Sequence, residues 1–170
     1  HHHAEALVDF LGDGSHLGVR LYFSWEDGLL DSGGGVRTAL ECLPGDGPFV
    51  VHNADVLADI DIRRLSGLCP EAGCAIALVA NPPHHPDGDF ALQGSRVLSR
   101  GSAQRTFAGV SVWYEDALAA YPAGSPFSLV EPMRALIAEG CCAGWMHRGQ
   151  WFDIGRPVDL FRARRMWRTI

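Results

Sequence analysis

The sequence predicts an α/β fold in which helices cover both faces of a mixed, mostly parallel sheet. Segments typical of strands and helices alternate as β-α-β-α-β between residues 19 and 79. Two of the strand segments, 48–52 and 74–79, are largely or wholly apolar, as in a sheet that is buried on both faces. The 170 residues, 47% hydrophobic and 20% charged, suffice for one domain with a sizeable core. We therefore expect a three-layer arrangement with the sheet in the middle.

The elements of the first half follow from spacing and turn residues. Helical spacing of apolar residues predicts a helix that ends at Leu11, before the turn-forming run Gly12–Ser15. His1–His3 fit the first turn of this helix and equally fit the remnant of a purification tag. The further expected elements are a strand over 19–23, a glycine-rich turn at 32–35, a helix over 36–43, and a helix over 60–65 with Asp59 as its N-cap.

The second half changes character and predicts antiparallel pairing. A hairpin is expected over 89–92 and 96–98, followed by a strand over 106–114, a helix over about 128–139, a strand over about 141–146 and a helix from Pro157. We expect Trp113–Tyr114 and Trp145–Met146 to lie in the core or in a homodimer interface. Because the central strand of a doubly wound sheet is commonly the first, a chain that opens with a helix is expected to lack the first strand or strands.

Charge and composition exclude some partners. The formal net charge is −6, and all fourteen basic residues are arginine. A nucleic-acid partner is not expected, because such proteins normally present a basic face. The cluster Arg162, Arg164, Arg165 and Arg168 lies on the last predicted helix, where we interpret it as a solvated face.

The cysteines and the hydropathy pattern indicate a cytoplasmic protein. Five cysteines include no Cys-x-x-Cys pair, so neither a disulfide framework nor a zinc site is expected. No apolar run approaches the roughly 18 residues of a membrane span, and no secretory signal is recognisable, so we expect no membrane partner.

Two aspartates follow strand-like runs, where open α/β sheets usually place their chemistry. Asp55 comes after the apolar run 48–54, and Asp153 comes after the aromatic pair Trp151–Phe152. Carboxylate oxygens are the ligands that Mg²⁺ prefers, and two such residues can share one ion. The alternative for each is a solvated turn residue or helix cap.

A run of three glycines, Gly33–Gly35, precedes the predicted helix over 36–43. Without side chains, such a run lets a base or ribose lie against exposed backbone N–H groups. It lacks the spacing of the dinucleotide-binding and P-loop motifs, so both are disfavoured, and a flexible helix entry remains the alternative.

These segments together resemble the sugar-1-phosphate nucleotidyltransferase superfamily. Leu30–Gly35 is similar to the family's base-contacting loop, Asn53–Asp55 to its strand-end metal aspartate and Trp151–Gly155 to its second metal aspartate. The segments 81–90 and 107–110 further resemble the branch of N-acetylmuramate 1-phosphate uridylyltransferases and mannose-1-phosphate guanylyltransferase-like proteins. The resemblance implies a Rossmann-like three-layer α/β/α domain over 1–170, with a nucleotide-binding half at 1–80 and a sugar-binding half at 81–170.

The resemblance also implies an activity and its residues. The activity is formation of a nucleoside diphosphate sugar and pyrophosphate from a nucleoside triphosphate, with UTP favoured over GTP, and a sugar 1-phosphate. The cofactor implied is Mg²⁺. The residues implied are Asp55 and Asp153 for the metal and catalysis, Ser32, Gly33, Gly34, Asn53 and Ala54 for the nucleotide, and Gly88, Asp89, Gly109 and Trp151 for the sugar.

Two departures from the family pattern are visible. The family's glycine-rich triphosphate loop, with its arginine and lysine, has no counterpart in these residues, which contain no lysine at all. Ala108 stands where the family often has a hydrogen-bonding residue for the sugar.

Three alternatives for function and metal binding stay open. The first is a non-catalytic nucleotide-sugar binding or assembly subunit, which would keep the base loop and sugar pocket, or an inactive fragment that lacks the triphosphate loop. A Mg²⁺-dependent phosphohydrolase is less favoured, because no Asp-x-Asp or Ser/Cys–His arrangement is recognisable. His84–His85 can be metal ligands or solvated loop residues.

Overall fold

The computed structural model describes residues 3–43, 45 and 47–167, which form two compact units. The first unit takes its residues from 1–47 and 118–132, and the second from 48–117 and 133–170. His1, His2 and Arg168 lie outside the described residues. Every helix within the described ranges is too short or too polar to span a bilayer.

Among its described residues, the first unit includes the helices α1 (Ala4–Leu11) and α2 (Asp31–Ala39), and the latter continues as a 3₁₀ turn over Leu40–Cys42. The predicted strand over 19–23 is wrong. Its backbone is used locally instead, because the N–H groups of Val19 and Leu21 donate to the carbonyls of Gly14 and Asp13. Residues 19–23 have strand-forming side chains, but no described strand pairs with them.

The second unit is built on a mixed sheet, which confirms the predicted α/β class. The six strands lie in the order β1-β6-β3-β7-β5-β4. Their bounds are Phe49–His52 (β1), Cys74–Val79 (β3), Phe90–Gln93 (β4), Arg96–Leu98 (β5), Gln104–Trp113 (β6) and Cys142–Met146 (β7). A separate two-stranded ribbon joins β2 (Val56–Ala58) and β8 (Trp151–Asp153).

Strand direction and strand pairing differ in this sheet. β3 pairs in parallel with β7, and the other pairings of the described strands are antiparallel. The strands β1, β3, β4 and β7 nevertheless run in the same direction. β1, β3 and β4 are each antiparallel to β6, and β7 is parallel to β3. The alternation of elements predicts strand direction, whereas it does not reveal that a later strand enters between two earlier ones.

The core of the second unit surrounds β3 and β6. All six residues of β3 are buried, as expected for a continuously apolar central strand. Trp113 is also fully buried, and its indole N–H donates to the hydroxyl of Ser111 at 2.8 Å. Of the two predicted positions for Trp113, core or interface, the structure selects the core.

Three helices belong wholly or partly to this unit: α3 (Ile62–Ser66), α4 (Val130–Glu139) and α5 (Pro157–Met166). The predicted N-cap of α3 was wrong, because the carboxylate of Asp61, not Asp59, accepts the N–H of Arg64 at 3.0 Å. Asp59 instead places its Oδ1 atom 2.9 Å from Nε2 of the buried His147.

The five cysteines are free thiols in the structure. Burial raises the pKa of the Cys69 thiol to about 11. This thiol is therefore protonated and weakly nucleophilic at neutral pH.

The burial of Leu65 makes a prediction about stability. Leu65 is fully buried against the β3–β6 core, so we expect Leu65→Ala to lower the free energy of unfolding by about 2–5 kcal/mol. Leu7 on α1 is 53% exposed, and Leu7→Ala should change it by about 0.5 kcal/mol or less. Chemical denaturation followed by circular dichroism measures both, and equal losses would contradict the assigned core.

Candidate active site

The β2–β8 ribbon brings the two predicted metal aspartates together. Val56 is the residue opposite Asp153 in this antiparallel pair, and Asp55 directly precedes Val56. The ladder continues one residue further, because the N–H of Ile154 donates to the carbonyl of Asp55 at 2.7 Å. Residues about one hundred positions apart in the sequence are thus held side by side by backbone hydrogen bonds.

A bulge in β6 shapes the floor beneath these aspartates. Ile76 lies opposite Ser111 and Leu78 lies opposite Phe107, so two steps along β3 correspond to four along β6. Gly109, within this bulge, has a φ of +74°, a conformation that side chains rarely adopt. Its carbonyl accepts the N–H of Asn53 at 2.8 Å, which anchors the segment leading to Asp55.

The aspartates face an open cavity of about 310 Å³. Its walls come from the ends of β1 and β8, from the bulge and from the loop after β3. The lining residues are Asn53, Asp55, Val56, His84, His85, Thr106, Phe107, Ala108, Gly109, Trp151 and Asp153. Five predicted site residues therefore lie together: Asn53, Asp55, Gly109, Trp151 and Asp153.

Trp151 provides a rigid apolar wall of the cavity. Its indole N–H donates to the carbonyl of Ala108 at 2.9 Å, which fixes the ring against the bulge. The side chain is partly buried, so one part of the ring system remains accessible. Such a surface suits the apolar face of a sugar ring.

Two adjacent histidines line the cavity, and each faces a carboxylate. Nε2 of His84 lies 3.4 Å from Oδ2 of Asp153. Nε2 of His85 lies 3.0 Å from Oδ1 of Asp89, whose other oxygen accepts the N–H of Phe107 at 2.8 Å. The sequence predicted that these histidines are either solvated residues or metal ligands. The structure adds a third role, because both residues form part of the cavity wall.

Gly88 and Asp89, predicted to bind the sugar, lie behind this wall. Asp89 fastens the histidine loop to the start of β6 through the two contacts just described. Gly88 has a φ of +65°, and a Cβ atom there would lie 2.7 Å from the side-chain oxygen of Asn81. The amide of Asn81 in turn joins the loop to β6, since it donates to the carbonyl of Pro86 and accepts the hydroxyl of Thr106. Their geometry therefore favours support of the cavity over direct contact.

The glycine run lies in the first unit and differs from its prediction. Gly33–Gly35 are inside α2, not before it. The N–H groups of Gly33 and Gly34 are not exposed, because both donate to the carbonyl of Phe127, at 2.9 and 3.1 Å. The missing side chain of Gly33 is explained by packing, since a Cβ atom would collide with the ring of Phe127. Ser32 is exposed, and its hydroxyl accepts the N–H of Leu129 at 3.0 Å.

The donor set at Asp55 and Asp153 fits a magnesium ion. Within the part of the chain that the structure describes, no group of three or more histidine, cysteine or acidic side chains is arranged to hold a metal. Mg²⁺ does not need such a cage, because it usually keeps several waters and binds one or two carboxylates plus substrate phosphates. Both carboxylates line an open cavity, which leaves room for those further ligands.

A second cavity of about 400 Å³ adjoins the first and shares His84, Trp151 and Asp153 with it. Arg156 and Asp159 in its wall form a two-pronged ion pair with N–O distances of 2.9 and 3.0 Å. This hydrogen bonding raises the pKa of Arg156 and lowers the pKa of Asp159, to which His84 also contributes.

Sequence reasoning named His84–His85, a polar pair between prolines directly after a buried strand, as metal ligands or solvated residues. It missed the wall residues Thr106 and Phe107. Phe107 belongs to the segment 107–110 that resembles the family, but the sequence did not predict that Thr106 and Phe107 line the site, because their place in the wall depends on the bulge in β6.

The conformation of Gly109 makes a second prediction. In Gly109→Ala, the Cβ atom would lie 2.9 Å from Val56 and 3.0 Å from Asn53. Gly94 also has a positive φ but has no atom within 4 Å of the added group, so Gly94→Ala measures the backbone strain alone, about 1–2 kcal/mol. We expect Gly109→Ala to lower the free energy of unfolding by about 1 kcal/mol more than Gly94→Ala does. Equal losses would show that the bulge does not support Asn53.

Comparison with known proteins gives the chain its family. No protein-family model matches it. It is 37% identical over 166 residues to N-acetylmuramate alpha-1-phosphate uridylyltransferase of Neisseria meningitidis serogroup B, covering 93% of this chain and 71% of that protein. It is 26% identical over 164 residues to mannose-1-phosphate guanylyltransferase of Mycobacterium tuberculosis, covering 89% of this chain but 45% of that protein.

Solved structures agree on the fold. A Bacillus anthracis protein assigned as a glucose-1-phosphate thymidylyltransferase, in complex with sucrose, has a TM-score of 0.79 at 18% identity and covers 98% of this chain and 72% of its own. HddC from Yersinia pseudotuberculosis, complexed with GMP-PN, has a TM-score of 0.73 at 18% identity, covering 94% and 72%. With the uridylyltransferase relative and the paired aspartates, these findings show that the chain belongs to the sugar-1-phosphate nucleotidyltransferase superfamily.

Proposed function

We propose that the protein forms a nucleoside diphosphate sugar and pyrophosphate from a nucleoside triphosphate and a sugar 1-phosphate. The observation that carries the proposal is the convergence of Asp55 and Asp153 on one open cavity through the β2–β8 ribbon. UTP is the favoured nucleotide and N-acetylmuramate 1-phosphate the favoured sugar phosphate, because the relative at 37% identity is named for them. GTP with a hexose 1-phosphate such as mannose 1-phosphate is the next candidate, after the second relative.

The reaction is an in-line displacement at phosphorus. A phosphate oxygen of the sugar 1-phosphate attacks the α-phosphorus, a new P–O bond forms, and the bond from the α-phosphorus to the bridging oxygen breaks as pyrophosphate leaves. Such a transfer needs positioning and charge neutralisation more than covalent catalysis. A Mg²⁺ ion, when bound at Asp55 and Asp153, would supply that neutralisation.

The chain's own residues supply the positioning. The segment Asn53–Asp55 is held in place by the hydrogen bond from the Asn53 N–H to the Gly109 carbonyl. The absence of a side chain at Gly109 keeps the cavity floor open. The fixed ring of Trp151 provides a surface on which a pyranose can stack. Asn53 and Ala54 stay as proposed nucleotide contacts, although Ala54 does not belong to the cavity lining.

In the first unit, the base-binding role of Ser32, Gly33 and Gly34 stays a prediction from the family resemblance. Their backbone and hydroxyl groups are already used in packing, so any contact with a base would be through surfaces other than the N–H groups of the two glycines. Gly88 and Asp89 keep an indirect role toward the sugar, through the loop that carries His84 and His85. A cytoplasmic location also stays a prediction.

The metal assignment is tested by removing each charge separately. We expect Asp55→Asn and Asp153→Asn each to lower Mg²⁺-dependent pyrophosphate release from UTP and N-acetylmuramate 1-phosphate by about 100-fold or more, because charge neutralisation is the main demand of the reaction. Binding of Mn²⁺ alone, followed by electron paramagnetic resonance, should weaken in both variants. Asp87→Asn is the matched control, since Asp87 is exposed and outside the cavity lining.

The outcomes separate the alternatives. Retained turnover in Asp55→Asn would show that the metal assignment is wrong. Binding of nucleotide sugars without release of pyrophosphate would favour a non-catalytic binding subunit. Release of phosphate instead of pyrophosphate would indicate a phosphohydrolase.

A further inference from the structure

The cavity beside α5 contains an arginine, Arg162, that forms no ion pair with any residue the structure describes. The wall residues of this cavity are Ala80, Pro82, Pro83, His84, Trp151, Phe152, Asp153, Arg156, Asp159 and Arg162. Arg156 is occupied by Asp159, so these two charges cancel. Within the described ranges, no carboxylate lies within ion-pair distance of Arg162. Arg162, Arg164 and Arg165 are all exposed, and of these three arginines on α5 Arg162 is the one that lines the cavity.

The position of this cavity relates it to the reaction site. It shares His84, Trp151 and Asp153 with the cavity that contains Asp55. A sugar stacked on Trp151 can therefore direct its phosphate toward the two aspartates while a ring substituent extends toward α5. The shared tryptophan makes one ligand spanning both cavities more natural than two separate ligands.

The charges select the kind of substituent. Because Arg156 and Asp159 neutralise each other, one guanidinium, that of Arg162, and one further carboxylate, that of Asp153, remain in the same wall. A doubly charged phosphate would be repelled by Asp153 and would be matched by only one cation. A carboxylate carries a single charge, and its two oxygens fit the parallel N–H groups of one guanidinium.

We propose that the cavity beside α5 is a subsite for a carboxylate carried by the sugar, and that Arg162 is the residue that binds it. The inference rests on the proposed function and narrows its substrate class to acidic sugar 1-phosphates. The lactyl ether of N-acetylmuramate is such a group, whereas N-acetylglucosamine is the same sugar without it. Arg162 thus determines specificity and takes no part in the displacement.

The test compares two nucleotide sugars that differ only in the lactyl group. Calorimetric titration of the purified full-length protein with UDP-N-acetylmuramate and UDP-N-acetylglucosamine should show tighter binding of the first. Arg162→Leu should weaken binding of the acidic ligand by about tenfold or more, because a hydrogen bond to a charged group is lost. Binding of the neutral ligand should stay within about twofold. Arg162→Lys should give an intermediate loss, since it keeps the charge but not the two-pronged geometry.

Arg165→Leu is the matched control, because it removes one arginine from the same helix without changing the cavity. Equal weakening of both ligands by Arg162→Leu would mean that the arginine serves the nucleotide phosphates, which overturns the proposal. Unchanged binding of both nucleotide sugars would show that Arg162 is a solvated surface residue only, and this result would also overturn the proposal. If the unmodified protein binds neither nucleotide sugar, the proposed function itself fails and this subsite fails with it.

Discussion

The pairing of β6 with three other strands is the constraint on which the second unit depends. Its ten residues, Gln104–Trp113, are hydrogen-bonded to β1, β3 and β4. The strand pairs along both of its edges, and its register against β3 shifts at the bulge around Gly109. The same bulge turns backbone groups toward Asn53 and Trp151, so the architecture of the sheet and the shape of the cavity have one origin.

The site is built on backbone hydrogen bonds more than on side-chain contacts. Asp55 and Asp153 are neighbours because the backbone around them forms a ladder, and both residues line the cavity. The supporting side chains act behind the wall, where Asp89 and Asn81 fasten the histidine loop to β6. This division suits a reaction in which positioning and charge matter more than a reactive nucleophile.

Much of the second unit could be predicted from the sequence. The apolar run at 74–79, the hairpin around Gly94 and the final helix after Arg156 all appear near their predicted positions, because local pattern and tertiary environment favour the same structure there. Secondary-structure prediction failed where tertiary contacts, and not the local sequence pattern, determined the backbone conformation. The strand-like residues 19–23 found no partner strand, and the glycines at 33–35 continue a helix because Phe127 packs against them and its carbonyl accepts two of their N–H groups.

The sequence by itself determined the class of fold, the family resemblance and the two aspartates, since strand ends in an open α/β sheet can be recognised from hydrophobic runs and the carboxylates that follow them. Only the tertiary structure decided which residues meet. Pairing β2 with β8 depends on contacts about one hundred residues apart, the bulge at Gly109 depends on strands on both sides of β6, and the location of Arg162 depends on how α5 lies against the loop after β3. Local patterns record which face of an element is apolar, whereas they do not record which distant element covers that face.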